Sequence, residues 1–497
     1  MSLKNPTIYK IFIIVLLFLC TQNVSTFAVE DVVSDIEITE ETVVKPDRET
    51  VAKETKGEPV VETKDEDITE TVLETKDKKR ITLVTKINFD DVLKAAKEHS
   101  YDLKIADYNI LISKQGVRGA RSEYFPKLNF SAGTEYTKNY RDVRESTVMS
   151  IGDAFINPYT RYQSVLGINV GYNLFDFGIR GGNLKIAKED VKLKELENKE
   201  KYQELNLTLL DTYTKILITT KQIEINKDIL ALEEKNLEYF ERLYKAKEIS
   251  KTELNNQKVK VSTAKNKINE LYSIKQESLN WLSFYTGEQY DINKLQIADI
   301  KKPNFDVLAF QDYTKSITWK IHEKNIKKKE TELQVVKKNN YPKLNVYGRY
   351  YLYGSDKSSY NSSLGNIEPS NFSVGASLNM PLFDGFRNSA NIEKTRLELK
   401  QLHVERDKAI AQLMTRLANM RSNLIYLDDK ISENNETITE LTDKEKSVHK
   451  LVSKKLVSPI EYNEAKIELL TQEIELDKNS ITQIAITKGI QILTEEI

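Results

Sequence analysis

The chain has 497 residues, with 74 Lys and Arg against 75 Asp and Glu, a formal net charge of −1. That balance leaves no electrostatic footprint for nucleic acid. One cysteine and four scattered histidines (His99, His322, His403, His449) cannot assemble a thiol site, a metal centre or a disulfide.

The N-terminus reads as a secretory signal peptide over residues 1–28. Lys4 and Lys10 precede an apolar run from Ile11 to Leu19, and small and polar residues lead to Thr26-Phe27-Ala28. The run is too short for a spanning helix, which needs roughly 20 apolar residues. Cleavage after Ala28 is expected. Leu19 is too large for the small residue that precedes a lipidated cysteine, so Cys20 reads as part of the apolar run. Residues 29–85 repeat Glu, Thr, Val and Lys, with no aromatic residue between Phe27 and Phe89. Such a segment buries too little apolar surface to offset its ordering entropy and reads as an acidic, disordered spacer.

The rest of the chain is one unit written twice. A first repeat spans 86–287, a short linker 288–310 and a second repeat 311–497. Tyr124-Phe125-Pro126-Lys127-Leu128-Asn129 returns as Asn340-Tyr341-Pro342-Lys343-Leu344-Asn345, 216 residues later. Leu174-Phe175-Asp176 returns as Leu382-Phe383-Asp384, and Ser250, Glu253, Asn255 and Lys258 return as Ser458, Glu461, Asn463 and Lys466, both 208 residues later. This period is far too long for a solenoid and implies a duplicated architecture.

Each repeat opens with helical spacing, from Asn88 to Ser122 and from 311 to 339, stopped at a proline. Two alternating strands follow, within 126–176 and 342–383. In the first repeat Leu128, Phe130, Ala132 and Tyr136 oppose Asn129, Ser131, Gly133 and Glu135. Leu166, Ile168, Val170, Tyr172 and Leu174 then oppose small polar residues. In the second repeat Leu344, Val346, Tyr350 and Leu352 oppose Tyr347, Tyr351 and Tyr353, and Phe372, Val374, Ala376, Leu378 and Met380 oppose Asn371, Ser373, Gly375, Ser377 and Asn379. Four strands of about ten residues suit either a half-buried soluble sheet or a membrane barrel. The signal peptide, the uncharged polar faces, the long polar loops and an aromatic girdle of Tyr136, Tyr140, Tyr159, Tyr162, Tyr350 and Tyr353 favour the barrel.

Long helices come next. From Phe175 to Ser250 two seven-residue series run together: Leu209, Ile216, Ile223, Leu230, Leu237, Tyr244, and Ile218, Ile225, Leu232, Tyr239, Ala246. They lie roughly 200° apart at 100° per residue, so the helix has neighbours on both flanks. Glu224, Lys227, Glu233, Lys235, Glu238 and Glu241 remain between them as a solvated face. The chain turns back near Ser250 and ends its arm at Tyr285-Thr286-Gly287, a C-cap. The second arm turns near Ser458.

Arg121-Ser122-Glu123-Tyr124-Phe125-Pro126-Lys127-Leu128, Tyr140-Arg141-Asp142, Pro381-Leu382-Phe383-Asp384-Gly385 and the two equal arms resemble the TolC family of outer-membrane channel proteins. The resemblance covers about 86–497. It implies an α+β membrane protein. Four transmembrane strands per protomer would close a twelve-stranded barrel in a homotrimer, continued by a periplasmic helical coiled-coil barrel. It further implies an exit duct, without enzymatic activity or cofactor, for efflux or type I secretion. Its partners would be outer-membrane lipid, a periplasmic adaptor and an inner-membrane transporter, either ABC or proton-driven. Glu461 and Glu464 fall where the family has acidic rings, and Thr252 and Glu253 where it has a polar pair holding the closed state. Ile249, Ser250, Leu456, Val457 and Ser458 fall at the adaptor-contacting tips. Val457 and Val452 replace the arginine and tyrosine of the best-known lock, and Lys247 and Lys455 replace tip glycines. The alternative architecture is a periplasmic coiled-coil adaptor or structural protein with a soluble β-domain.

Overall fold

A computed structural model describes residues 83–84, 86–138, 149–151, 154–156, 162–304 and 313–494. They belong to one compact unit that begins at Lys79. The signal peptide, nearly all of the acidic segment, and Tyr140 and Tyr159 of the expected girdle lie outside the described residues. The spacer boundary at 85 cuts a structured feature. Strands β1 (Leu83–Val84) and β2 (Lys86–Ile87) precede the first helix.

The expected single helix before Pro126 is two, α1 (Phe89–His99) and α2 (Tyr101–Ser122). Ser100 interrupts them. Its backbone leaves the helical region at φ −49° and ψ 125°, and its hydroxyl accepts from Leu103 N–H to cap α2. Then come β3 (Lys127–Tyr136), two short strands β4 (Met149–Ile151) and β5 (Ala154–Ile156), and β6 (Tyr162–Phe175). Helices α3 (Ile179–Lys245) and α4 (Lys251–Thr286) form the first long hairpin. Strands β7 (Gln289–Tyr290) and β8 (Gln296–Ile297) lie in the linker. A 3-10 turn (Tyr313–Lys315) precedes α5 (Ile317–Lys337), β9 (Lys343–Asp356), a short α6 (Tyr360–Gly365) and β10 (Glu368–Asn379). The second hairpin is α7 (Arg387–Ser453) and α8 (Pro459–Thr494). The long helices match in length, 67 residues for α3 and α7 and 36 for α4 and α8. At 1.5 Å per residue the longer pair runs about 100 Å.

β10, β9, β6 and β3 form one antiparallel sheet in that order. Register puts Leu128, Phe130, Ala132, Leu166, Ile168, Val170, Val346, Tyr350, Leu352, Phe372, Val374 and Ala376 on one face. Asn129, Ser131, Asn169, Arg349, Asn345, Ser373 and Ser377 lie on the other. Two girdle residues sit elsewhere than expected. Tyr350 is at mid-strand on the apolar face and Tyr353 is on the polar face, because the tyrosines of β9 occupy both parities. Tyr136 and Tyr162 do meet at one rim, with ring centroids 5.0 Å apart.

The helices pack side by side. α3 contacts α2 and α4 from its own repeat, and α5 and α8 from the other; α5 and α8 also contact α7. So α3 has several helical neighbours, drawn from both repeats, where its two apolar series called for neighbours on both flanks. Glu233 departs from the expected solvated face. It is buried, and its carboxylate and carbonyl accept from Gln257 Nε2 at 2.6 and 3.0 Å.

The main core gathers where the linker meets the hairpins. Ile87, Phe89, Val92, Leu209, Tyr213, Ile216, Leu282, Tyr290 and Leu295 share one buried cluster. β1 and β2 pair in parallel with β7 and β8 there. The Tyr213 hydroxyl donates to the Ala298 carbonyl at 2.6 Å and lies 3.3 Å from that of Ile87, tying α3 to both segments. Burial pushes the Tyr213 phenol well up.

Candidate functional site

The hairpin tips are built the same way twice. At the end of α3 the Lys247 N–H donates to Tyr244 O and the Glu248 N–H to Leu243 O, each at 3.0 Å. At the end of α7 the Lys455 N–H donates to Val452 O and the Leu456 N–H to Leu451 O, each at 2.9 Å. Both are Schellman turns, whose left-handed residue is normally glycine. Here Lys247 and Lys455 hold φ of 63° and 58°. The lysines that stand in for tip glycines thus keep the turn while carrying its strain.

The next helix starts on a cap. The Ser250 hydroxyl accepts from Glu253 N–H, and the Glu253 carboxylate accepts from Ser250 N–H at 2.7 Å. This is a capping box, legible in Ser250-Lys251-Thr252-Glu253. The backbone N–H of Ser250, then its hydroxyl, hold the Glu253 carboxyl below its ordinary value. Thr252 is exposed beside it. In the second hairpin Ser458 Oγ accepts from Ile460 N–H at 3.2 Å, with Pro459 as the first helical residue. Leu456 is 67% exposed at the turn, Ile249 and Val457 are half-buried, and Ser250 is exposed.

Glu461 and Glu464 are both exposed, but they differ in company. Glu464 pairs with Lys260 Nζ of the first hairpin at 3.2 Å. Next to it in sequence, Asn463 Nδ2 donates to Oδ1 of the buried Asn236 at 2.7 Å. These two contacts join the hairpins near their tips. Sequence reasoning passed over Lys260 and Asn236, which have no local signature. Asn463 carried a signal, its recurrence opposite Asn255.

The strand–helix junctions use the Phe-Asp motif. The Asp176 carboxylate accepts from the backbone N–H of Gly178 and Arg180 at 3.0 and 3.1 Å and from Arg180 Nε at 3.0 Å. Asp384 accepts from Asn388 N–H at 2.9 Å. Each aspartate caps a helix whose own N-cap residue supplies no side-chain bond.

The internal repeat also relates a buried seam to two open edges. Between α5 and α3, Ile317 and Ile321 pack with Leu193 and Leu196. Lys324 pairs with Glu189 at 2.9 Å, and Lys328 pairs with Asp190. The residues 216 earlier on α2 are Tyr101, Ile105, Tyr108 and Ile112, all exposed, Tyr108 at 65% and Ile112 at 67%. Those 208 later on α7 include Leu397, and Val404 at 68% exposed. Where the internal seam uses ion pairs, Tyr108, Ile112 and Leu397 at the edges are apolar or aromatic, while the counterpart of Asp190 is Glu398. The lower half matches. Gly489 of α8 rests against Leu207 and Leu210. Its counterpart on α4 is the exposed Trp281, and theirs on α7 are the small Thr415 and Ala418. A groove on α7 beside them is lined by Lys408, Ala411, Gln412, Thr415, Arg416 and Asn419.

Among the described residues no cluster of His, Cys, Asp or Glu has metal-ligand geometry.

The family model for outer membrane efflux protein matches residues 92–288 and 322–483. No curated protein matches the sequence. Among solved structures, the Campylobacter jejuni CmeC outer membrane channel aligns with a TM-score of 0.66 and 14% identity, over 82% of this chain and 86% of that one. CusC, described for transmembrane channel formation, aligns with a TM-score of 0.65 and 15% identity, over 81% and 91%. The outer membrane protein VceC from Vibrio cholerae aligns with a TM-score of 0.62 and 14% identity, over 81% and 95%. At such identities these likenesses speak to the fold.

Proposed function

The chain belongs to the outer membrane efflux protein family, and from that premise we propose that three copies close into a duct crossing the outer membrane and the periplasm. One observation supports the closure above all. The exposed edges on α2, α4 and α7 are the repeat-counterparts of a seam already buried inside the chain. A second copy therefore meets α7 as α3 meets α5 and α8. The sheet needs the same remedy, because four strands leave two edges that hydrocarbon does not tolerate. Twelve strands from three copies abolish them, with the apolar face towards lipid and the polar face lining the lumen.

The helices then continue the lumen through the periplasm, reached by export through the signal peptide. The tips at Ile249, Ser250, Leu456, Val457 and Ser458 meet a periplasmic adaptor, and an inner-membrane transporter, ABC or proton-driven, supplies the energy. Thr252, Glu253, Glu461 and Glu464 ring the periplasmic entrance, where three copies of the carboxylates favour cations. The adaptor alternative gains nothing from the family match.

The test uses Ile105→Cys with Val404→Cys, on a background in which Cys20 is the sole natural cysteine. A short bis-maleimide linker applied to outer-membrane fractions is expected to give species up to three copies. Only monomers, with both thiols still reactive, would refute the closure.

A further inference from the structure

The turns at the hairpin tips carry lysines where local structure argues against them. Lys247 and Lys455, counterparts in the two repeats, hold φ of 63° and 58°, a conformation that glycine adopts freely and an L-residue does not. Lys251 opens α4, at the positive end of the helix dipole, where a cation is disfavoured. Lys245, Lys450 and Lys454 suit the negative ends of α3 and α7; the first three have no such reason. All six are exposed. Glu248 is the one acidic residue in segments 245–251 and 450–458, so six lysines less one glutamate leave a local charge of +5, in a chain whose net charge is −1. Among the described residues none of the six makes an ion pair, although Lys260, Lys265 and Lys444, farther up the hairpins, pair with Glu464, Glu234 and Glu468. Leu456 stands among them 67% exposed, with Ile249 and Val457 half-buried.

We infer that the tips dock a partner whose contact surface sets aspartate or glutamate around an apolar side chain. The inference rests on the duct reading, and it names the chemistry of the adaptor surface that this reading calls for. An apolar centre rimmed by polar groups is ordinary interface anatomy. Opposite charge speeds encounter and decides which partner fits, more than it adds affinity. A partner with basic tips would meet like charge at every turn and be rejected. Three copies would present six turns, and weak contacts engaged together bind far more tightly than any one of them. Glu461 and Glu464 belong to α8 rather than to the turn, which keeps the acidic entrance apart from the basic docking surface.

The probe is a synthetic helical hairpin whose turn carries leucine between two aspartates, with a control carrying lysines in their place. Each is titrated against the full-length protein in detergent. Zero-length carbodiimide coupling, which joins a carboxylate to a lysine amine, is then mapped by peptide mass spectrometry. The aspartate hairpin is expected to bind, to lose several-fold in affinity between about 50 and 500 mM salt, and to couple at Lys247, Lys251 or Lys455. The lysine hairpin is expected not to bind. Lys247→Gly with Lys455→Gly relaxes both turns, so the fold is kept, and should weaken binding roughly fivefold, the value of two exposed ion pairs. Equal affinity of the two hairpins overturns the inference. So does coupling confined to lysines outside the turns, or unchanged binding in the double variant. Oligomeric state in the same preparation judges the duct reading separately: trimers uphold it and monomers overturn it.

Discussion

Single residues at the tips carry the clearest energetic signatures. Lys247 and Lys455 occupy the left-handed region, which costs an L-residue about 1–2 kcal/mol; glycine removes that cost but gains unfolded-state freedom of about 0.5–1 kcal/mol. Lys455→Gly should therefore stabilise the turn by roughly 0.5–1 kcal/mol, read as slower hydrogen exchange at the Leu456 amide. Faster exchange would show that the lysine's own contacts outweigh its strain. Glu253 makes a pH statement. Its carboxyl titrates below the ordinary 4.5, so the capping box contributes fully above that value and is lost as pH falls through the depressed one. Exchange at the start of α4 should accelerate as pH falls below the ordinary carboxylate range, and Glu253→Gln should abolish that dependence. A parallel acceleration in both proteins would assign the effect to another group. The two glutamates of the expected acidic rings also part company at this scale. Spacing placed Glu461 and Glu464 on one helical side, but only three-dimensional packing could bring Lys260 to Glu464.

Elements were legible in proportion to how local their causes are. The alternating strands, the turns at Ser250 and Ser458 and the Gly287 stop were readable, because each depends on periodicity or capping chemistry within a few residues. The break at Ser100 was missed because the apolar spacing runs through it while a serine cap restarts the helix. The strands β1, β2, β7 and β8 were missed for a different reason. They are two residues each and exist through pairing between segments about 200 residues apart, which no local pattern reports. Tyr213 makes this belt testable. Tyr213→Phe leaves the buried carbonyls of Ala298 and Ile87 without their donor, a cost of about 1–3 kcal/mol. Trypsin should then cut faster at Lys86 and Lys301 while sites in α7 stay unaffected. Uniform sensitisation would mean that the tyrosine supports the whole fold rather than the belt.

At the scale of the whole molecule the two hairpins are held together weakly at their tips. A buried side-chain hydrogen bond is worth about 1 kcal/mol and an exposed ion pair about 0–1 kcal/mol, so Asn236–Asn463 and Lys260–Glu464 together supply about 1–2 kcal/mol. Removing both with Asn236→Ala and Lys260→Ala should raise the population of separated tips by roughly tenfold. The expected readout is a higher open-state conductance in planar bilayers; unchanged conductance would remove these contacts from gating. Such a latch suits a chain with Val452 and Val457 where the best-known lock has a tyrosine and an arginine. The matched helices, 67 and 36 residues in each repeat, have a genetic corollary. A seven-residue insertion in one long helix would displace its tip by about 10 Å relative to its counterpart, so single-helix indels should be eliminated by selection. Lengthening would require four coordinated insertions, one per long helix, making reach a trait that changes in jumps. Between β3 and β6 in the first copy, and β9 and β10 in the second, the spacing of the two copies already slips from 216 to 208, so length varies there, and that is where peptide insertions should be tolerated.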